Sequence, residues 1–198
     1  MRIGIDISQI VYEGTGVATY VRSIVREIIS KDTENEYVLF GSSLRRRRVL
    51  RSYHQSLHAD PRRVTLKLFF MPPTFLDLLW NRLHIIPIES FIGPVDIFWS
   101  SDWTQPPLAG ARGITTIHDL IAFKYPIETH EQTEFTTKRL LISPNIVATQ
   151  KRRLAWVKKE CQTIFCDSES TKKDVMGLLG IAKDRLHVVY PGFSGNLL

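Results

Sequence analysis

The 198-residue sequence lacks most of the features that would place it outside the ordinary globular class. It has two cysteines, Cys161 and Cys166. That is too few to staple a small scaffold, and neither has His or Cys neighbours at zinc-ligand spacing. Buried free thiols are the reading that fits them. No apolar run reaches the roughly 20 residues needed to cross a bilayer. The opening Met1-Arg2-Ile3-Gly4-Ile5-Asp6 enters a strand-like pattern at once, without the basic and apolar regions of a secretory leader. The cytoplasm is therefore the expected compartment. Internal repeats and low-complexity linkers are absent as well.

What is present is an apolar content of 43% and a charged content of 23%, the composition of a folded soluble domain. The length suits one domain with a substantial core. The formal charge of +6 is concentrated in one stretch: Arg45-Arg46-Arg47-Arg48, Arg51, Arg62 and Arg63. Such a run is either a solvated face or an attractor of phosphate on a lipid or nucleotide. Only Tyr53 is interleaved with it, so a stacking platform for single strands is poorly supported, and nucleic acid is not an expected partner.

Strand and helix patterns alternate. Residues 2–7 read as a strand. Val17, Tyr20, Val21, Ile24, Val25 and Ile28 then follow the spacing of one helix face. Residues 36–40 and 64–71 read as strands, the second ended by Pro72-Pro73. Residues 74–92 are apolar and aromatic, and helical up to the region of Pro87. Residues 96–100, 113–117 and 163–166 are compact strands. A basic helix is expected over about 149–162, and another from Ser168 to its stop at Gly180. A last strand covers 186–190. The strands are short apolar runs, as in a parallel sheet covered on both faces, so the expected class is α/β, a Rossmann-like parallel sheet flanked by helices.

In such sheets ligands bind beyond the carboxyl ends of the strands, near the reversal of strand order. The segments of interest are residues 8–16, Ser101-Asp102-Trp103, His118-Asp119 and Asp167-Ser168. Gly14 and Gly16 precede a helix, whose unpaired N–H groups suit a phosphate. The same loop could equally be a tight turn. Thr19 stands where a dinucleotide fingerprint needs its third glycine, and the second strand ends Phe40-Gly41-Ser42 with no acid for a ribose, so a nicotinamide enzyme is disfavoured. His118, directly after a strand, can donate to a sugar hydroxyl or stabilise developing charge, with Asp119 fixing its tautomer. The plain alternative is a histidine satisfied by backbone.

Four strings resemble those of family 4 glycosyltransferases, in the family's order and spacing. Gly14-Thr15-Gly16-Val17-Ala18-Thr19-Tyr20-Val21 is similar to the glycine-rich entry, where G-[IV]-x-x-Y opens the first helix. Thr115-Thr116-Ile117-His118-Asp119-Leu120 resembles the "hDh" segment, with Tyr125-Pro126 suiting the stretch after it. Phe165-Cys166-Asp167-Ser168-Glu169-Ser170-Thr171-Lys172-Lys173-Asp174 is similar to the "V-S-x-x-S-K-x-D" turn. Val188-Val189-Tyr190-Pro191-Gly192-Phe193 resembles the "V-x-x-N-G-V-D" link into a second domain. Pro191 stands where Asn is usual, and Ala18-Thr19 replaces a frequent Gly-Arg.

The resemblance implies one half of a GT-B fold: residues 1–198 as the N-terminal, acceptor-side domain, with the donor-binding domain expected beyond them. It implies retaining transfer from a nucleotide-diphosphate sugar to a glycan or lipid-linked acceptor, in cell-surface polysaccharide synthesis, with no metal and no other cofactor. His118 would be catalytic, touching the transferred sugar. Gly14 and Gly16 would approach the donor diphosphate, and Asp102, Trp103 and Asp119 would line the acceptor side. Arg45, Arg46, Arg47 and Arg48 would meet an anionic membrane surface, making the protein peripheral on the inner face of the cell membrane. The basic pair and paired glutamates of the family's donor domain are not in these residues, so the chain alone is expected to be inactive. A non-catalytic partner- or membrane-binding module is the competing reading.

Overall fold

The computed structural model describes residues 1–124 and 146–192. Tyr125-Pro126 and Phe193, cited above for the resemblance, lie outside the described residues. Seven strands, β1 (Arg2–Asp6), β2 (Glu36–Ser42), β3 (Val64–Phe69), β4 (Ile97–Ser100), β5 (Arg112–Ile117), β6 (Cys161–Cys166) and β7 (Leu186–Val188), form one sheet. Its order is β3-β2-β1-β4-β5-β6-β7, and every pairing is parallel. The helices are α1 (Gly16–Lys31), α2 (Arg47–Ser56), α3 (Pro73–Leu76), α4 (Glu89–Ile92), α5 (Ile121–Lys124), α6 (Ile146–Glu160) and α7 (Glu169–Leu179). The chain winds outward from β1 to β3, then returns to lay β4 on the other side of β1. The reversal of strand order therefore falls between β1 and β4, as a Rossmann-like sheet requires.

Burial on both faces explains the unbroken apolar runs. Tyr37, Val38, Leu39 and Phe40 are all at most 1% exposed. Val38 and Phe40 pack with Leu76, Trp80, Ile92 and Phe98 on one face. Tyr37 and Leu39 pack with Val25, Ile29, Leu50 and Tyr53 on the other. Each such side chain contributes about 1.5–3 kcal/mol of transfer free energy, which makes these two layers the main source of stability. A third cluster, including Ile117, Leu154, Val157, Ile164, Val175 and Leu186, closes the β5–β7 side.

The elements depart from the sequence pattern at several places. Along α1 the fully buried positions are Ala18, Val25 and Ile29, with Val21, Ile24 and Ile28 only half-buried. The arginine run, read above only as charge, opens α2. Residues 74–92 are not one helix. After α3 the backbone widens into a π-helical turn, Asp77–Arg82, then breaks at His84 and Ile86, both at positive φ (50° and 59°). A β-branched residue in that region is strained. The break is held in place because Trp80 Nε1 donates to Ile86 O (3.1 Å) and the His84 ring stacks on Trp156 at 3.5 Å. The strands over 64–71 and 186–190 end sooner, at Phe69 and Val188.

The basic helix also ends earlier than its pattern suggested. α6 stops at Glu160 and β6 begins at Cys161 with no loop between them. The register against β5 slips there, with Gly113 opposite Cys161 and Ile114 opposite Thr163, which leaves Gln162 as an extra residue. The abrupt turn brings backbone onto Gly113: a Cβ there would lie 2.5 Å from Glu160 O and 3.1 Å from Cys161 Cα. Gly113→Ala should therefore lower stability by about 1–3 kcal/mol. Gly110→Ala, with nothing within 4 Å of its Cβ, should change it by less than about 0.5 kcal/mol. Urea unfolding of the two variants checks this, and equal midpoints would refute the close-approach account.

Candidate functional site at the strand-order reversal

The first wall of the site is the turn after β1. Asp6, only 4% exposed, accepts the Ser8 N–H at 2.8 Å, and burial pushes its carboxyl above the usual range. A short 3-10 turn, Ser8–Val11, follows. Gly14 then takes φ +86°, a conformation that a side chain would oppose. Thr15 caps α1, its Oγ1 accepting from Ala18 N at 3.2 Å. That leaves the N–H groups of Gly16 and Val17 without an intrahelical acceptor. A Cβ built on Gly16 meets nothing within 4 Å. The helix end is thus open, partially positive, and clear of neighbouring atoms.

The second wall is formed by the ends of β4, β5 and β6. Val17, Tyr20, Val21 and Ile24 of α1 face Trp99, Ser101, Asp102, Thr116 and His118 across a cleft with about 360 Å³ of space, part of it open solvent. The Tyr20 ring meets the His118 ring edge-on, centroids 4.9 Å apart at 84°. Because Tyr20 and Gly16 are four residues apart on one helix, the open end of α1 lies one turn from that ring. His118 Nδ1 is 2.6 Å from Asp167 Oδ2. Thr171 Oγ1 donates to the His118 carbonyl at 3.1 Å, tying the histidine's backbone to the start of α7.

Asp102 points toward the same cleft. Burial raises its carboxyl pKa; Arg153 and His118 draw it down, while Asp119 and Asp167 push it further up. Its main partner is Arg153, at 3.3 Å between Nη1 and Oδ1. Arg153 is 1% exposed and its guanidinium is extensively used. Nε donates to Ser101 O (3.0 Å), and Nη2 donates to Thr115 Oγ1 (2.7 Å) and Thr116 O (3.2 Å). Nη1 also reaches Gln150 Oε1 at 3.5 Å. One buried cation thus joins the ends of β4 and β5 to α6.

His118 and Asp102 line one cleft, with Gly16 one turn of α1 from Tyr20. Trp103 and Asp119 do not line that cleft. Trp103 contributes a backbone carbonyl to Asn81 (2.9 Å). The expectation that Asp119 fixes the tautomer of His118 is corrected: Asp119 Oδ1 accepts the Ile121 N–H at 3.0 Å and so opens α5, while Asp167 takes the ring. The signal for Asp167 was its position after β6, since Ile117 pairs with Cys166 and the next residues become neighbours. Arg153 was missed because α6 reads as a basic helix. Its clue was the i, i+4 stripe with Thr149 and Val157, both buried. Cys161 and Cys166 are free and buried, with thiols pushed up to about 12 and about 11, so they are poor nucleophiles.

Arg45, Arg46, Arg47 and Arg48 are all exposed and follow the carboxyl end of β2, on the same edge of the sheet as the cleft. Arg46 is partly engaged, its Nη1 donating to Val11 O at 2.9 Å. Arg47 lies over the Phe70 ring at 4.6 Å, and Phe70 is 62% exposed. Among the described residues no cluster of His, Cys, Asp and Glu could hold a metal ion. No helix there is long and apolar enough to cross a membrane.

Truncating a buried cation leaves its partners desolvated and unpaired, at a cost of about 3–5 kcal/mol. Arg153→Met should therefore destabilise the fold by about 3 kcal/mol or more, measured by urea unfolding. A loss under about 1 kcal/mol would show that the network is not what holds β4, β5 and α6 together.

A parallel sheet with a part-apolar, part-polar cleft at the β1–β4 reversal hosts many chemistries and does not by itself fix a function. No curated protein matches the chain. The family model for Glycosyltransferase Family 4 matches residues 14–194, a span that includes α1, His118, Asp167 and Arg153. The chain belongs to glycosyltransferase family 4, and its Rossmann-like α/β domain is consistent with one half of a GT-B fold.

Proposed function

We propose that this domain is the acceptor-side half of a retaining enzyme. That enzyme moves a sugar from a nucleotide-diphosphate donor to a glycan or lipid-linked acceptor in cell-surface polysaccharide synthesis. The observation that carries the reading is the open N-terminus of α1 one helical turn from the Tyr20–His118–Asp167 group. An anion favours the first, and a hydroxylated ring favours the second, where carboxylates outnumber cations. Gly16 and Gly14 would then face the diphosphate. His118 would touch the transferred sugar, and Asp102, which lines the cleft, would border the acceptor. No metal is needed in this scheme, because fixed N–H dipoles and side chains would supply the charge stabilisation.

In a two-domain enzyme of this kind most groups that stabilise the leaving diphosphate belong to the donor-binding domain. Residues 1–198 by themselves should therefore bind nucleotide-diphosphate sugars weakly and not turn them over. Calorimetric titration with GDP- and UDP-sugars against NAD tests the donor class, and a transfer assay tests turnover. Preferential binding of NAD would refute the glycosyltransferase reading of the cleft. Sugar transfer by the 198 residues alone would refute the division of labour.

The exposed arginines suit docking at the inner face of a membrane, where each contributes on the order of 1 kcal/mol near anionic lipid. Phe70 under Arg47 adds an apolar contact beside the charge. Replacing Arg45, Arg46, Arg47 and Arg48 by Ser should reduce co-sedimentation with anionic vesicles by about 100-fold or more and leave neutral vesicles unaffected. Unchanged binding to anionic vesicles would end the membrane assignment.

A further inference from the structure

The geometry points to Asp167 as a positioning residue: it locks His118 in the tautomer whose Nε2 meets the cleft as a hydrogen-bond acceptor, so that the group recognised there is a hydrogen-bond donor such as a sugar hydroxyl and not a bare phosphate oxygen. This deepens the functional reading above and rests on it only for the identity of the ligand as a sugar. The tautomer itself follows from the chain's own atoms.

An ionised carboxylate can only accept hydrogen bonds, and a neutral imidazole carries one N–H. With Asp167 Oδ2 at 2.6 Å from Nδ1, the single proton belongs on Nδ1. Nε2 is left as a lone pair, with no hydrogen-bond partner among the described residues. A sugar O–H can donate to that lone pair. A phosphate oxygen cannot, because it too is only an acceptor. The other acids near the histidine are otherwise engaged: Asp119 Oδ1 accepts from Ile121 N, and Asp102 Oδ1 pairs with Arg153.

The arrangement is held on several sides. Parallel pairing of Ile117 with Cys166 sets His118 beside Asp167. The Thr171 hydroxyl fixes the His118 carbonyl, while Ser168 Oγ caps α7 by accepting from Thr171 N at 3.1 Å. Tyr20 packs edge-on against the imidazole, so rotation of the ring away from Asp167 is opposed by an aromatic wall. His118 and Asp167 side chains are 15% and 21% exposed, enough for a ligand to reach Nε2 while bulk water competes little at Nδ1.

The test reads the ring nitrogens directly in the 198-residue chain. Long-range proton–nitrogen correlation spectra are recorded with 15N-labelled histidine at a pH where the ring is neutral, and His118 is assigned by its loss in His118→Gln. The expected result is a bare Nε2 and a protonated Nδ1, in excess of the other tautomer by about tenfold or more, as a hydrogen bond to a charged acceptor supplies. Asp167→Ala, which removes the acceptor facing Nδ1, should abolish that preference, and Asp119→Asn should leave it unchanged. A proton on Nε2 in the parent chain overturns the proposal, as does an Asp167→Ala spectrum identical to the parent. If Asp167→Ala does not fold, the parent spectrum alone still decides. The expected tautomer together with preferential NAD binding would sink the sugar reading and leave the role of Asp167 intact. The converse pair of results would do the reverse.

Discussion

The guanidinium of Arg153 is the interaction on which the functional end of the sheet depends. Taking a cation out of water costs several kcal/mol unless its donors are satisfied, and here Nε and both terminal nitrogens find oxygen partners on β4, β5, α6 and Asp102. Two of those partners, the Ser101 and Thr116 carbonyls, lie where the strands run out and the ladder no longer uses every backbone group. The arginine substitutes for the missing ladder. It also sets the electrostatics of the cleft: the buried positive charge draws the Asp102 carboxyl back toward ionisation against the desolvation that raises it.

From that anchor the rest of the site follows by register. Parallel strands that end level with one another deliver successive residues side by side, so His118 after β5 and Asp167 after β6 meet without any long loop. On the β1 side the strand-order reversal leaves room for the turn through Gly14 and the capped start of α1. Tyr20 bridges the two sides. The site is therefore assembled mainly from strand ends and one helix terminus, elements whose positions are fixed by a sheet buried on both faces.

This explains which parts were legible in the sequence. The seven strands, the parallel class, the start of α1 and the importance of the segments after each strand could be read from apolar runs and glycines, because those patterns are local. Pairing between strand ends is not local. Asp119, next in sequence to His118, was the obvious partner, yet its carboxylate turns back to cap α5, and the partner comes from 49 residues away. The break after α3 was equally hidden. It needs positive φ at His84 and Ile86, which a β-branched isoleucine resists, and the contacts that make it tenable, Trp80 Nε1 to Ile86 O and His84 stacked on Trp156 from α6, are not visible as a local pattern. Arg153 was obscured for a related reason: a charged residue on a basic helix reads as solvated until its i±4 neighbours are seen to be buried.

On the proposed function, the distribution of charge would constrain how a diphosphate-bearing donor lies against this domain. Near His118 stand Asp102, Asp119 and Asp167, with Arg153 the buried cation paired to Asp102 among the described residues, and Arg153 faces the protein interior. An anion placed there would meet two or more like charges in a partly desolvated pocket, at a cost of several kcal/mol. The attractive positions for negative charge are one turn away at the open N–H groups of α1, and further out at the exposed arginines before and along α2. A donor whose phosphates point at α1 and whose neutral ring reaches His118 satisfies both regions at once, and the reversed orientation satisfies neither. Three carboxylates, one buried arginine and one helix end would thus set the polarity of such a donor.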